Sequence, residues 1–193
     1  MRQRWVTVAA GMAVMLTMAG CTQSDGLAAQ YRAGDTKNYI SGDGAVTEFP
    51  AKDRGDQITF TTKDLDGKAI TAKQFRGKPL VLNFWYASCA PCRAEADDLA
   101  AVSQDTADEA RFIGVNVRDS AGTADAFVRS YKVPYDNVVD AESGAVQLAF
   151  AGRTAPNSTP STIVLDSNGR VSARILGPIN QNVLATLVKD ASK

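Results

Sequence analysis

Cys89 and Cys92 stand three positions apart and enclose Ala90 and Pro91. Two thiols at that spacing suit one reaction above others, reversible exchange between a dithiol and a disulfide. They follow the run Leu80-Val81-Leu82-Asn83-Phe84-Trp85, apolar except for one asparagine, which reads as a strand buried on both faces. After them, apolar residues recur at Ala96, Leu99 and Val102, a helical spacing. Cys89 therefore falls where a strand hands over to a helix. The first turn of a helix carries unpaired N–H groups and the positive end of the dipole, and both stabilise an anion. The Cys89 thiol is expected to ionise easily, with a pKa in the roughly 3.5–7.5 range of such positions. Pro91 suits a first turn, where it has no N–H to lose and its φ is preset. Cys92, one turn inward, is expected to be more buried and harder to ionise. Cys89 then attacks or is attacked, and Cys92 resolves the mixed disulfide.

Other chemistry is largely excluded. The 193 residues contain no histidine. That removes Ser-His-Asp and Cys-His catalytic sites, His-ligated metal and the C-x-x-C-H haem attachment. Half of a zinc site is the commonest alternative for a C-x-x-C pair, but no second pair or histidine supplies the other ligands. A purely structural disulfide would add little entropic stabilisation across so short a loop. No cofactor or metal is expected. Lys plus Arg number 21 and Asp plus Glu number 21, so the formal charge is zero. Such a balance exerts no long-range pull on nucleic acid, and no nucleic-acid partner is expected.

The third cysteine has a different setting. Arg2 and Arg4 precede fifteen uncharged, mostly apolar residues from Trp5 to Ala19, fewer than the ~20 that span a bilayer as a helix. A basic start, a short apolar run and small residues at 19 and 20 read as a secretory signal over 1–20. Leu16-Thr17-Met18-Ala19-Gly20-Cys21 resembles a bacterial lipobox, with Met18 where leucine is usual. That resemblance implies cleavage before Cys21, lipidation of its thiol and a chain held on the extracytoplasmic face of the cell membrane. Outside the cytoplasm disulfides persist. With Cys21 lipidated, Cys89 and Cys92 are the only thiols left to pair within the chain.

Residues 21–55 read as a tether. They are rich in glycine and small polar residues and lack a sustained period, although Tyr31, Tyr39, Ile40, Val46 and Phe49 are available to dock on a neighbour. From 56 to 193 the pattern is that of one α/β domain. Residues 57–62 alternate as a strand, and Asp66-Gly67 turns the chain toward a returning arm at 68–71. A second buried strand covers 112–117, and Thr123 is placed to cap a helix with Ala124, Phe127, Val128 and Tyr131 inward. A short strand at Val138-Val139, a short helix at 145–150, a hairpin 161–166/170–176 and a last helix carrying Val183, Leu184, Leu187 and Val188 complete the series. Strands and helices alternate in the middle, so helices are expected on both faces of the sheet.

The stretch from Val81 to Glu95 resembles the active site of the thioredoxin superfamily, and more narrowly its TlpA/ResA branch of extracytoplasmic thiol-disulfide oxidoreductases. Asn83 stands where cytoplasmic thioredoxins have a buried aspartate, and Glu95 matches the branch's active-site glutamate. Thr159-Pro160-Ser161-Thr162 resembles the cis-proline loop, about seventy residues downstream. The resemblance covers about 57–190. It implies a thioredoxin-like fold, with a central mixed sheet, helices on both faces and an N-terminal β-hairpin extension. It also implies a cis Thr159–Pro160 bond, a substrate site at Thr159 and Pro160, with Trp85 read as core or as the wall of that site, and an acid–base or specificity role for Glu95. Departures are Ser88 in place of tryptophan before the first cysteine, Asp97 in place of proline in the helix, and a longer approach at 153–158.

The resemblance further implies reduction of cysteine pairs in exported proteins, apocytochrome c or another secreted protein, with electrons from a membrane thiol donor. Composition does not set that direction, and a disulfide-donating oxidant stays open. So does a non-catalytic binding lipoprotein on the same scaffold. A peroxidase of the peroxiredoxin type fits poorly, since Leu82 and Tyr86 occupy the proline and threonine positions of P-x-x-x-T-x-x-C.

Overall fold

The computed structural model describes residues 45–193 except 153, 155 and 157. The expected signal segment, Cys21 and most of the tether, with Tyr31, Tyr39 and Ile40, lie outside the described residues. Six strands form one sheet: β1 (Val46–Glu48), β4 (Leu80–Trp85), β5 (Arg111–Asn116), β6 (Asp136–Val139), β7 (Ser161–Leu165) and β8 (Val171–Leu176). Two more, β2 (Thr61–Lys63) and β3 (Ala69–Thr71), make a separate antiparallel hairpin. The large sheet has the order β1-β8-β7-β4-β5-β6. β4, β5 and β6 run parallel, whereas β7, β8 and β1 are joined antiparallel, so the sheet is mixed as the family resemblance implied.

The period-two rule assigns each face of β4. Leu80, Leu82 and Phe84 enter a core with Ile113, Val115, Ile163 and Leu165, closed by the hairpin and by α3 (Ala145–Ala149) through Val146. Val81 faces a second core, filled by Leu99 and Val102 of α1 (Ala90–Asp105) and by Leu184 and Leu187 of α4 (Gln181–Ala191). Trp85, on the same face as Val81, joins Cys89, Cys92, Ala96 and Phe127, the last from α2 (Ala121–Ser130). Both faces of β4 are thus covered, and every residue of it is buried. α1 runs unbroken for 16 residues with Asp97 in place of the proline.

Three local expectations need correction. The strand expected at 57–62 begins only at Thr61. Ile58 and Phe60 are buried as alternation requires, yet isolated backbone bonds hold them, Ile58 N–H to Gly169 O and Ala72 N–H to Phe60 O, in place of a ladder. Alternation reports burial, and a ladder also needs a partner in register. The cap of α2 is Ser120, whose hydroxyl accepts the Thr123 N–H at 3.4 Å. Thr123 is the capped residue, three positions inward. Finally, residues 45–55, expected within the tether, contribute a sheet strand. Val46 pairs with Ile175 and Phe49 packs on the first core, which puts the start of the sheet ten residues before position 56.

The β7–β8 hairpin turns at Asp166, whose Oδ1 accepts the N–H groups of Asn168 and Arg170. Its Oδ2 meets Arg170 Nε at 3.0 Å and Arg54 Nη1 at 3.2 Å. Burial pushes the carboxyl pKa up, but the Arg170 N–H and the two guanidinium groups outweigh it and hold Asp166 below its ordinary value.

Candidate active site

Cys89 is the N-cap of α1, and its Sγ accepts the N–H of Cys92 at 3.2 Å. Arg93 N–H donates to Cys89 O at 3.1 Å, closing the first helical turn. The two cysteines are joined as a disulfide with Cα atoms 5.2 Å apart. Pro91 sits in the first turn, as expected. A backbone amide therefore points at Cys89 Sγ, an arrangement that favours negative charge on that sulfur once the bond is reduced. The expected difference in burial is absent. Cys89 is 2% exposed and Cys92 3% in this oxidised form. Cys89 Sγ lies under the loop before β7, 4.0 Å from the Thr159 carbonyl oxygen, which covers the sulfur that a helix start alone would leave open.

That loop carries the Thr159–Pro160 bond in the cis form, as the resemblance implied. Pro160 is buried and Thr159 half-buried. Pro160 O accepts the N–H of Gly177 at 2.9 Å, which ties the loop to the segment after β8. Ser88, Ala90 and Pro91 are exposed around the disulfide. Of the two places open to Trp85, core or substrate wall, the structure puts it in the core. It is 4% exposed, its ring packs on Phe127 with centroids 4.3 Å apart, and its indole N–H donates to Asn137 Oδ1 at 3.1 Å. The strand register points it inward, so it backs the cysteines from within the fold.

Glu95, one helical turn beyond Cys92, is 2% exposed. Its Oε1 accepts from Asn83 Nδ2 at 2.9 Å and its Oε2 from the Ile179 N–H at 2.9 Å. Asn83 also donates to Thr162 Oγ1 at 3.2 Å, joining α1, β4 and β7. Burial raises the Glu95 carboxyl from 4.5 to about 7, against the lowering effect of its two hydrogen bonds and with a smaller upward push from Asp98. The group is thus poised to hold or release a proton near neutral pH. Tyr135 is pushed above its ordinary range, by burial first and by Glu95 second.

The structure thus brings the Cys89–Cys92 disulfide to the loop of Thr159 and Pro160 through the 4.0 Å approach of Cys89 Sγ to Thr159 O, with Glu95 buried one helical turn further along α1. Sequence reading missed Gly177 and Ile179. Both contribute backbone N–H groups, which leave no side-chain signature. Among the described residues no group of three or more His, Cys, Asp or Glu side chains is gathered to hold a metal ion.

Known proteins share this plan. The Redoxin family matches residues 50–190. Thiol:disulfide interchange protein HelX of Rhodobacter capsulatus is 33% identical over 133 residues, which cover 67% of this chain and 65% of HelX. Thiol-disulfide oxidoreductase ResA of Bacillus subtilis is 27% identical over 130 residues, covering 67% of this chain and 70% of ResA. The chain spans about two thirds of the length of these relatives. A crystal structure of a DsbF homologue from Corynebacterium diphtheriae superposes with a TM-score of 0.68 at 28% identity, over 79% of this chain and 96% of that one. Both curated relatives are named for the exchange that a vicinal cysteine pair at a helix start is suited to perform. On the match across residues 50–190, and on a sheet and helix order of the thioredoxin type, this chain belongs to the Redoxin family.

Proposed function

We propose that the protein is a thiol-disulfide oxidoreductase, held on the extracytoplasmic face of the membrane through lipid on Cys21, that reduces cysteine pairs of exported proteins. The observation that carries this reading is the Cys92 N–H aimed at Cys89 Sγ from the first turn of α1. It favours a Cys89 thiolate in the reduced protein. That thiolate attacks one sulfur of a partner disulfide, and the other partner sulfur leaves as a thiolate. Cys92 then gives up its proton, for which the Glu95 carboxylate is the buried acceptor one turn away. The Cys92 thiolate attacks Cys89 Sγ and expels the second partner sulfur. Two electrons pass to the partner, and the Cys89–Cys92 disulfide forms. A thiol donor at the membrane restores the dithiol.

Thr159 and Pro160 are the substrate-side groups in this reading, because the Thr159 carbonyl oxygen lies 4.0 Å from Cys89 Sγ and the cis bond to Pro160 follows it. An extended partner chain can lie along that loop with strand-like backbone hydrogen bonds. Resemblance to the TlpA/ResA branch supports reduction as the direction and apocytochrome c as a substrate. The lipobox-like run ending at Cys21 supports the anchor. No helix among the described residues is long and apolar enough to cross a membrane.

The test is the reduction potential of the Cys89–Cys92 couple in a glutathione or dithiothreitol buffer, together with its redox state in intact cells. A low potential and a dithiol resting state are expected. A strongly oxidising potential with a disulfide resting state would make the protein a disulfide donor instead.

A further inference from the structure

The chain approaching Cys89 is held from the side by a second loop. Asn116 ends β5 opposite Trp85 in the sheet and is fully buried. Its Oδ1 accepts the N–H groups of Arg118 at 3.1 Å and Asp119 at 2.8 Å, folding residues 116–119 into a tight elbow. Its Nδ2 donates to Asp119 Oδ2 at 2.7 Å, which fixes the carboxylate. That same oxygen accepts the N–H of Ala87 at 2.6 Å, two residues before Cys89. Two further contacts join the segments. Val117 N–H donates to Trp85 O at 3.0 Å, and the Arg118 guanidinium lies 4.3 Å from the centroid of the Tyr86 ring. Beyond them Cys89 N–H donates to Tyr86 O at 3.1 Å. Each residue from Trp85 to Ala87 is therefore gripped by the elbow, and the turn so fixed delivers Cys89 to the Cys92 amide.

We propose that Asp119 is a positioning residue for Cys89: through the Ala87 N–H it sets the turn that aligns the Cys89 sulfur with the first-turn amide of α1. This deepens the proposed function and rests on Cys89 being the attacking sulfur. Asp119 acts through geometry. A carboxylate near a thiolate opposes its ionisation, so the negative charge itself works against the site. What the elbow supplies is an oxygen that accepts two N–H donors at one point. An asparagine can present its Oδ1 there without the charge, whereas alanine leaves the Ala87 N–H without its partner and frees the turn. A shift of about 1 Å at a reacting group can cost on the order of a hundredfold in rate.

The experiment compares D119A and D119N in the reduced full-length protein. Cys89 alkylation by iodoacetamide is followed against pH by mass spectrometry, alongside reduction of insulin. For D119A the alkylation inflection should move up by about one pH unit, with reaction slowed by up to about tenfold at pH values below the wild-type inflection. D119N should restore the rate to within about threefold of wild type. An unchanged Cys89 profile in D119A, whatever its melting temperature, would reduce Asp119 to a structural residue and overturn the proposal. So would equal impairment of D119N and D119A, which would assign the effect to charge. If D119A does not fold, hydrogen exchange of the Ala87 amide in wild type decides. Protection in both redox states is expected, and rapid exchange from the folded protein overturns the clamp. A wild-type protein that alkylates as expected but leaves insulin intact would refute the reductase reading while leaving the D119A and D119N comparison valid.

Discussion

Asn83 Nδ2 lies 2.9 Å from Glu95 Oε1, and the two residues join the central strand to the active-site helix inside the protein. A buried carboxylate needs donors, and an aspartate at position 83 would set two acids against each other. Asparagine supplies one N–H to Glu95 and the second to Thr162 Oγ1, two residues past Pro160. The proton state of Glu95 is thereby tied to the layer carrying both the cysteines and the cis-proline loop.

Glu95 should leave a signature in stability against pH. Its folded-state value is raised to about 7 from 4.5. Below pH 4.5 both states hold the proton and the group is neutral to stability. Between 4.5 and 7 the unfolded chain releases its proton first, so stability falls as pH rises, and above 7 the loss is complete. The loss is on the order of 3 kcal/mol. Glu95→Gln should flatten that part of the curve, measured by denaturant unfolding of the oxidised protein from pH 4 to 8. An unchanged slope would show that Glu95 titrates alike in the folded and unfolded chains.

Asn83→Ala should push Glu95 further up. It removes a hydrogen bond that favours the carboxylate and leaves burial in place. The inflection near pH 7 expected in the rate at which Cys92 resolves a preformed Cys89 mixed disulfide should move to higher pH, and vanish in Glu95→Gln. A profile that ignores both substitutions would remove Glu95 from the proton path.

Gly114→Ala tests the packing behind the cysteines. Gly114 lies opposite both Asn83 and Asn137 in the ladders, and a Cβ there would overlap the Asn137 side chain and come within 2.8 Å of Trp85 Nε1. The Trp85–Asn137 hydrogen bond would have to give. A loss of about 1–3 kcal/mol is expected by thermal or denaturant unfolding, with a change in tryptophan fluorescence. Wild-type stability would mean that this pocket yields freely.

Much of this fold is legible in the sequence because burial imposes a period. The run 80–85, the spacing Ala96-Leu99-Val102 and the hairpin flanking Ser167-Asn168-Gly169 all appear as elements in the structure. The cis bond before Pro160 is legible only through the family resemblance of 159–162, since composition alone does not distinguish the isomers. What escaped depends on partners distant in sequence. β1 is only three residues long and is defined by its pairing with β8. Ser120 and Thr123 are both competent caps, and the path of the preceding loop selects between them. Cys89 is buried among Trp85, Cys92, Ala96 and Phe127 and meets the carbonyl of Thr159, seventy positions away. Trp85 reads as core or site wall in sequence, and only its distant partners, Asn137 for the indole N–H and Phe127 for the ring face, select the core.

The most direct test is covalent capture with Cys92→Ser in intact cells. Without the resolving thiol, the bond between Cys89 and a partner sulfur cannot be cleared from within the chain. Mixed disulfides that survive acid quenching, map to Cys89 and disappear in a Cys89→Ser/Cys92→Ser double variant are the expected result. Their partners should be exported proteins with cysteine pairs. Complete absence of Cys89-linked partners, from a protein shown to be folded and exported, would contradict the exchange chemistry on which the function rests.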